Sequence, residues 1–251
     1  MPSNKKFFDQ IHAALENTCQ FQIREKVILN ELLKPARKFE ELGVKDTIVF
    51  FGSAMVIDKT KLQTPKSLKM AEYHFQAEEL AEKLTRWMIS KFKNKNHCVV
   101  CSGGGPGIME AANKGAKNAG GNSIGLNIQI NYEQIPNAYQ SDELKFQFHY
   151  FFMRKFWFSY LAKAIVVFPG GFGTMDELFE IYTLIKTNKA RNHAPVILFG
   201  KQFWNDVISF DQLVEWGTIP EDFKKIINIQ DNVDDVVEIL KSTIKFSEET
   251  I

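Results

Sequence analysis

The sequence predicts a Rossmann-like α/β fold: an open parallel sheet with helices on both faces, preceded by a helical extension. Three observations carry this expectation. Short, continuous apolar runs recur along the chain, as strands buried on both faces do. Each run passes into a turn and then into a stretch with helical periodicity. The two richest glycine clusters stand directly after such runs, where open parallel sheets place their ligands.

The first segment, from about Lys5 to Leu42, has apolar residues at helical spacing: Phe8, Ile11, Leu15, Ile28, Leu32 and Leu33. Pro35 is expected to stop or kink it. Residues 1–45 are therefore read as the extension and residues 46–251 as one Rossmann-like domain, since no Pro/Gly/Ser-rich linker divides them. Ile48–Phe51 reads as the first buried strand, ending in Gly52-Ser53. Leu68–Phe92 is a long amphipathic helix carrying Tyr73, Leu80, Leu84, Trp87 and Met88. Cys98–Cys101 is a strand running into Gly103-Gly104-Gly105-Pro106-Gly107. Ile108–Ala119 is a helix of small residues closed by Gly120-Gly121, the glycine that helix C-termini favour. Ser123–Ile128 is a third strand, and the polar stretch Asn127–Tyr139 reads as a long loop. Ala164–Phe168 is a strand leading into Pro169-Gly170-Gly171-Phe172-Gly173-Thr174, and Met175–Ile185 a helix. Pro195–Phe199, Phe203–Trp216, Ile226–Ile229 and Val233–Ile244 then read as strand, helix, strand and helix.

Composition excludes several classes. With 31 Lys and Arg against 30 Asp and Glu, the net charge of +1 lacks the basic excess of a protein that binds nucleic acid by neutralising phosphates. No apolar run is long enough to span a membrane, and the first twenty residues lack a secretory signal's apolar core. Three cysteines are too few and odd in number for a disulfide framework, so a reducing, cytoplasmic setting is expected. Cys98 and Cys101 are three apart in a strand and so point to opposite faces, which excludes a redox pair. The histidines at 12, 74, 97, 149 and 193 show no metal-ligand spacing.

Glycine clusters opening onto a helix N-terminus let backbone N–H groups approach an anion, with the helix dipole adding positive potential. Neither cluster is a P-loop, for no Gly-Lys-Ser/Thr follows, and both lack the last glycine of the dinucleotide fingerprint. Two readings of Thr174-x-x-Glu177 stay open: a capping box serving only the helix start, or a carboxylate standing at a ligand site. The segment Phe148–Trp157 is almost wholly aromatic yet holds the adjacent cations Arg154 and Lys155. Buried cations need an anionic partner.

The stretch Pro169–Glu177 resembles the PGGxGTxxE signature of the LOG family, whose members were long labelled possible lysine decarboxylases. Met153-Arg154-Lys155 resembles the family's second signature, Ser102–Met109 its GGGxxGxM loop, and Phe50–Ala54 its first-strand loop. The resemblance spans roughly Thr47 to Lys189. It implies hydrolysis of the N-glycosidic bond of nucleoside 5′-monophosphates, AMP or cytokinin riboside monophosphates, to free base and ribose 5-phosphate. It further implies that Arg154 and Glu177 are the catalytic pair, that Gly170, Gly171, Gly173 and Thr174 hold the phosphate, and that Ser53 and Gly104 line the nucleotide pocket. No metal or organic cofactor is implied. Met55 stands where many similar sequences carry an arginine. Molybdenum-cofactor carrier proteins resemble the same fold and supply the alternative, a non-catalytic binding or carrier role. The resemblance also implies a homodimer or higher homo-oligomer, with the Phe148–Trp157 segment as a candidate interface.

Overall fold

The structure, a computed structural model, describes residues 21–55, 64–130, 135–189, 194–224 and 226–248. Phe8, Ile11, Leu15, His12 and His193 lie outside them. The elements run α1 (Phe21–Leu42), β1 (Asp46–Phe51), α2 (Pro65–Lys91), β2 (Cys98–Ser102), α3 (Ile108–Asn118), β3 (Ser123–Ile128), β4 (Lys145–Phe148), α4 (Phe151–Tyr160), β5 (Ala162–Val167), α5 (Phe172–Lys186), β6 (Val196–Phe199), α6 (Lys201–Val207), α7 (Phe210–Glu215), α8 (Glu221–Lys224), β7 (Asn228–Gln230) and α9 (Val233–Thr243).

The seven strands form one sheet in the order β4-β3-β2-β1-β5-β6-β7, with every pairing parallel. The chain builds outward from β1 to β4, then crosses back so that β5 lies beside β1, with Phe50 opposite Val166. The topological switch point is thus the crevice above β1 and β5, where doubly wound folds bind ligands.

Strand residues alternate between two cores. Val49, Phe51, Cys101, Ile165 and Val167 face one, under α1, α4, α5 and α6. Ile48, Phe50, Cys98, Val100, Ala164 and Val166 face the other, under α2, α3 and α9. Cys98 and Cys101 accordingly lie on opposite faces, both buried and both free. Ala111, Ala112 and Ala116 are fully buried in α3. Gly115 lies so close to α2 that a Cβ there would overlap the Glu78 carbonyl, so small residues let these two helices pack backbone to backbone.

Four sequence expectations are corrected. No strand is expected between the loop ending at Tyr139 and the aromatic segment starting at Phe148, yet Lys145–Phe148 pairs with β3, with Phe146 and Phe148 buried. The helix expected over Phe203–Trp216 is two helices, because Ser209 leaves the helical path and its Oγ accepts the Gln212 N–H at 3.4 Å. The helix expected from Leu68 starts at Pro65, where Thr64 and Ser67 form a capping box with proline in the first helical position. Finally, Pro35 does not stop α1, which continues to Leu42. Proline removes the N–H that would bond the carbonyl four residues earlier, here that of Glu31. The Trp157 indole Nε1–H donates to that carbonyl at 3.0 Å, so the lost helical bond is replaced from another helix.

Among the described residues, no helix is long and apolar enough to cross a membrane.

Candidate functional site

Three loops meet above the switch point. After β1, Ser53 acts as their junction: its N–H donates to the Pro169 carbonyl at 3.0 Å, and its own carbonyl accepts the Ile108 N–H at 3.0 Å. Its Oγ accepts the Met55 N–H at 3.1 Å, and Met55 itself is exposed. After β2, Gly104 and Gly107 take φ of 71° and 69°, values that side chains bearing a Cβ avoid. The Gly104 N–H donates to Ser102 Oγ at 3.1 Å, and its carbonyl accepts from Asn137 Nδ2 at 3.1 Å and Gln140 Nε2 at 2.7 Å. Asn137 and Gln140 thereby fasten this loop, a role that a polar, irregular stretch of sequence does not announce.

After β5, the four positions grouped by motif divide into two kinds. Gly170 is a packing glycine: a Cβ there would overlap Thr174 Oγ1 and stand 3.0 Å from the Ser53 nitrogen. Thr174 is buried beneath it. At Gly171 and Gly173 a Cβ would meet nothing within 4 Å. Gly171 is the N-cap of α5 and gives no side-chain cap. The N–H groups of Phe172, Gly173 and Thr174 fall in the first turn, where no preceding helical carbonyl can reach them. They present three donors and the positive end of a four-turn helix to the cleft.

The capping-box reading of Thr174 and Glu177 is therefore excluded, since the cap lies at Gly171 and Glu177 stands in the second turn. Its partner comes from α4: Arg154 Nη2 donates to Glu177 Oε1 at 2.9 Å, the two side chains being only 10% and 12% exposed. The guanidinium lies over the rings of Phe151 and Phe158, each 5.4 Å away. Arg154 Nη1 reaches to 3.8 Å from the position a Cβ would take on Gly103, which joins the pair to the β2 loop. Arg154 Nε is buried and has no hydrogen-bond partner among the described residues. Burial pushes the Glu177 carboxyl up to about 7, against the downward pull of Arg154. The same burial holds the Arg154 guanidinium below its ordinary value. The second cation of the aromatic helix is matched as well, with Lys155 Nζ 2.7 Å from Asp176 and 2.8 Å from Glu180. Each of the adjacent cations thus finds its carboxylate on α5.

Arg154, Glu177, Ser53, Gly104, Gly170, Gly171, Gly173 and Thr174 all lie on the loops and helices around this one end of the sheet. The described residues hold no group of three or more His, Cys, Asp or Glu side chains arranged for a metal ion.

An open parallel sheet with helices on both faces, glycine loops at its switch point and a buried arginine–glutamate pair beside them defines a Rossmann-like α/β protein. Residues 109–240, over half of the chain, match the family described as possible lysine decarboxylase, and the chain belongs to that family. No curated protein sequence matches it. Among solved structures it is similar to TM1055, at 21% identity, with 78% of this chain and 99% of that one covered and a TM-score of 0.49. It is also similar to the molybdenum cofactor binding protein of Rippkaea orientalis, at 20% identity, 79% and 96% coverage and a TM-score of 0.46. The molybdenum cofactor carrier protein of Chlamydomonas reinhardtii follows at 17% identity, 79% and 98% coverage and a TM-score of 0.49.

Proposed function

We propose that the protein hydrolyses the N-glycosidic bond of nucleoside 5′-monophosphates, AMP or a cytokinin riboside monophosphate, releasing the free base and ribose 5-phosphate. The observation that carries this reading is the buried Arg154–Glu177 pair set beside the uncapped N-terminus of α5. In this mechanism the 5′-phosphate takes hydrogen bonds from the first-turn N–H groups of α5, with Gly171 and Gly173 allowing close approach. Fixing the phosphate places C1′ within reach of the pair and converts binding into orientation. The C1′–N bond then breaks with its electron pair leaving on the base nitrogen, which takes up a proton. The ribose passes through an oxocarbenium-like state that the Glu177 carboxylate stabilises. Water adds its oxygen to C1′ and gives up a proton. Arg154 holds Glu177 in place and favours its ionised form against the effect of burial. No step calls for a metal or an organic cofactor.

The deciding experiment incubates the pure protein with a panel of nucleoside monophosphates and measures free base and ribose 5-phosphate. Binding of AMP without products would favour the alternative, a nucleotide or molybdenum-cofactor carrier.

The phosphate cradle has its own test. Gly171→Val meets nothing within 4 Å in the protein, so its melting temperature should stay near the parent's. AMP affinity in calorimetry should fall at least about tenfold, equivalent to roughly 1.4 kcal/mol. Parental affinity would show that the phosphate lies elsewhere.

The same reading includes a homo-oligomer. Phe151, Phe152 and Phe156 of α4 and Phe179 of α5 are 37–54% exposed on one side of the site, an apolar face suited to a second copy of this chain. Sedimentation equilibrium is expected to give twice the chain mass of 28.8 kDa or a higher multiple. A monomer at micromolar concentration would refute it.

A further inference from the structure

The helix that carries Arg154 is gripped by α1 at two points that bracket the arginine. At the first, the Glu31 carboxylate turns onto the start of α4: Oε1 accepts the His149 N–H at 2.5 Å and Oε2 the Tyr150 N–H at 3.3 Å. Tyr150 is the N-cap of α4 and supplies no side-chain cap of its own; Glu31 instead ties down the backbone entering the helix, at His149 just before it and at the N-cap itself. At the second, the Glu31 carbonyl that Pro35 leaves without a helical donor accepts Trp157 Nε1–H. Arg154 lies between these ties, and its own N–H donates to the Tyr150 carbonyl at 3.3 Å. One residue of α1 thus holds α4 on either side of the arginine, once through its side chain and once through its backbone.

A helix start is ordinarily capped by a local Ser, Thr, Asn or Asp. Glu31 takes no first-turn amide of α4, and a carboxylate buried to 4% exposure that reaches across from another helix is a costly tie unless the link itself is needed. Burial pushes the Glu31 carboxyl up to about 7, and the two backbone amides only partly oppose this.

We infer that Glu31 is a positioning residue for the Arg154–Glu177 pair: together with the Pro35-freed carbonyl on Trp157, it fixes the axial and rotational setting of α4. The N-terminal helix then governs a site that it does not touch. The inference rests on the catalytic reading of Arg154 and Glu177.

The test compares Glu31→Gln, Glu31→Ala and Trp157→Phe in the full chain. Glutamine keeps one acceptor oxygen and should rescue in part. With AMP, kcat should fall in the order parent, Gln, Ala, reaching about 10- to 100-fold, while KM stays within about twofold, because displacing a catalytic group by about 1 Å costs on the order of 10²-fold. In an Arg154→Ala background the Glu31 changes should add nothing to the loss, since groups acting through one another are not additive. Equal kcat in folded Glu31→Ala, or fully additive losses, would overturn the inference. A second readout does not depend on turnover. The Arg154 Nε–H signal in a ¹⁵N-labelled protein, assigned by its loss in Arg154→Ala, should shift or broaden in Glu31→Ala and in Trp157→Phe. An unmoved signal in folded variants overturns the positioning role. A parent that releases no base from AMP overturns the proposed activity instead, and the signal then decides the positioning on its own. If Glu31→Ala does not fold, Glu31→Gln and Trp157→Phe carry both readouts.

Discussion

Glu177→Gln is expected to give a folded protein that still binds AMP but releases base about 10²–10³-fold more slowly, the usual cost of losing one preorganised electrostatic group. Glutamine matches the shape of glutamate and still accepts a hydrogen bond from Arg154, but it carries no charge to set against an oxocarbenium ion. The position of the helix cap strengthens this expectation. Had Glu177 belonged to a capping box, glutamine would serve it equally and the change would cost little stability and little rate. The cap of α5 lies at Gly171 instead, so a loss confined to stability would contradict the site as built. The pH profile gives a second arm. With the carboxyl at about 7 in the folded protein, and the ionised form doing the work, kcat/KM should rise with pH through an inflection near neutrality. Glu177→Gln should lose that limb. Stability runs the other way. Between its ordinary 4.5 and about 7, this carboxyl binds more proton in the folded chain than in the unfolded one, so its contribution to stability declines as pH rises across that window. Urea midpoints measured across it should show a shallower decline in Glu177→Gln. A parental turnover rate in this variant would end the enzymatic reading.

The parts of this protein that were legible in the sequence are those whose cause is local. A strand buried on both faces must be apolar throughout, so Ile48–Phe51 and Cys98–Cys101 stand out, and the period of two correctly sends Cys98 and Cys101 to opposite cores. The glycine loops were legible because a positive φ at Gly104 and Gly107 leaves little choice of residue. Even the need for anions beside Arg154 and Lys155 could be read, though their identity could not, because the partners lie on α5, some twenty residues onward. What stayed hidden has causes remote in sequence. β4 is four residues long, and its alternation merges with the aromatic run that follows. Pro35 reads as a helix stop because its compensation is an indole 126 residues away from Glu31. Glu31 itself looks like any polar position on an amphipathic helix until the fold brings the start of α4 against it. Gly170 is indistinguishable by motif from Gly171 and Gly173, yet the first is required by the Thr174 side chain and the other two face open space.

Arg154→Ala is expected to be the most damaging change in the molecule, and for two separable reasons. It removes the group that holds Glu177 in place, so base release should fall about as far as in Glu177→Gln. It also leaves a carboxyl that is 12% exposed without its cation. Breaking a buried pair from one side costs roughly 3–5 kcal/mol, and Glu177 should respond by shifting still further upward and staying neutral at pH 7. Arg154→Lys should recover only part of either loss. An ammonium on a shorter reach cannot lie flat between the Phe151 and Phe158 rings while bonding Glu177, and lysine lacks the planar fork of arginine. The two effects part company in the double change Arg154→Met with Glu177→Leu, which fills the site with apolar groups of similar bulk. Replacing both members of a buried pair in this way is often neutral or stabilising, so the thermal midpoint should return to the parent's value or exceed it while AMP hydrolysis remains lost. That combination, stability restored and chemistry gone, is the signature of a charge pair kept for function. A double variant that stays as unstable as Arg154→Ala would assign the pair to holding α4 against α5, and one that still released base at the parental rate would remove both residues from the mechanism.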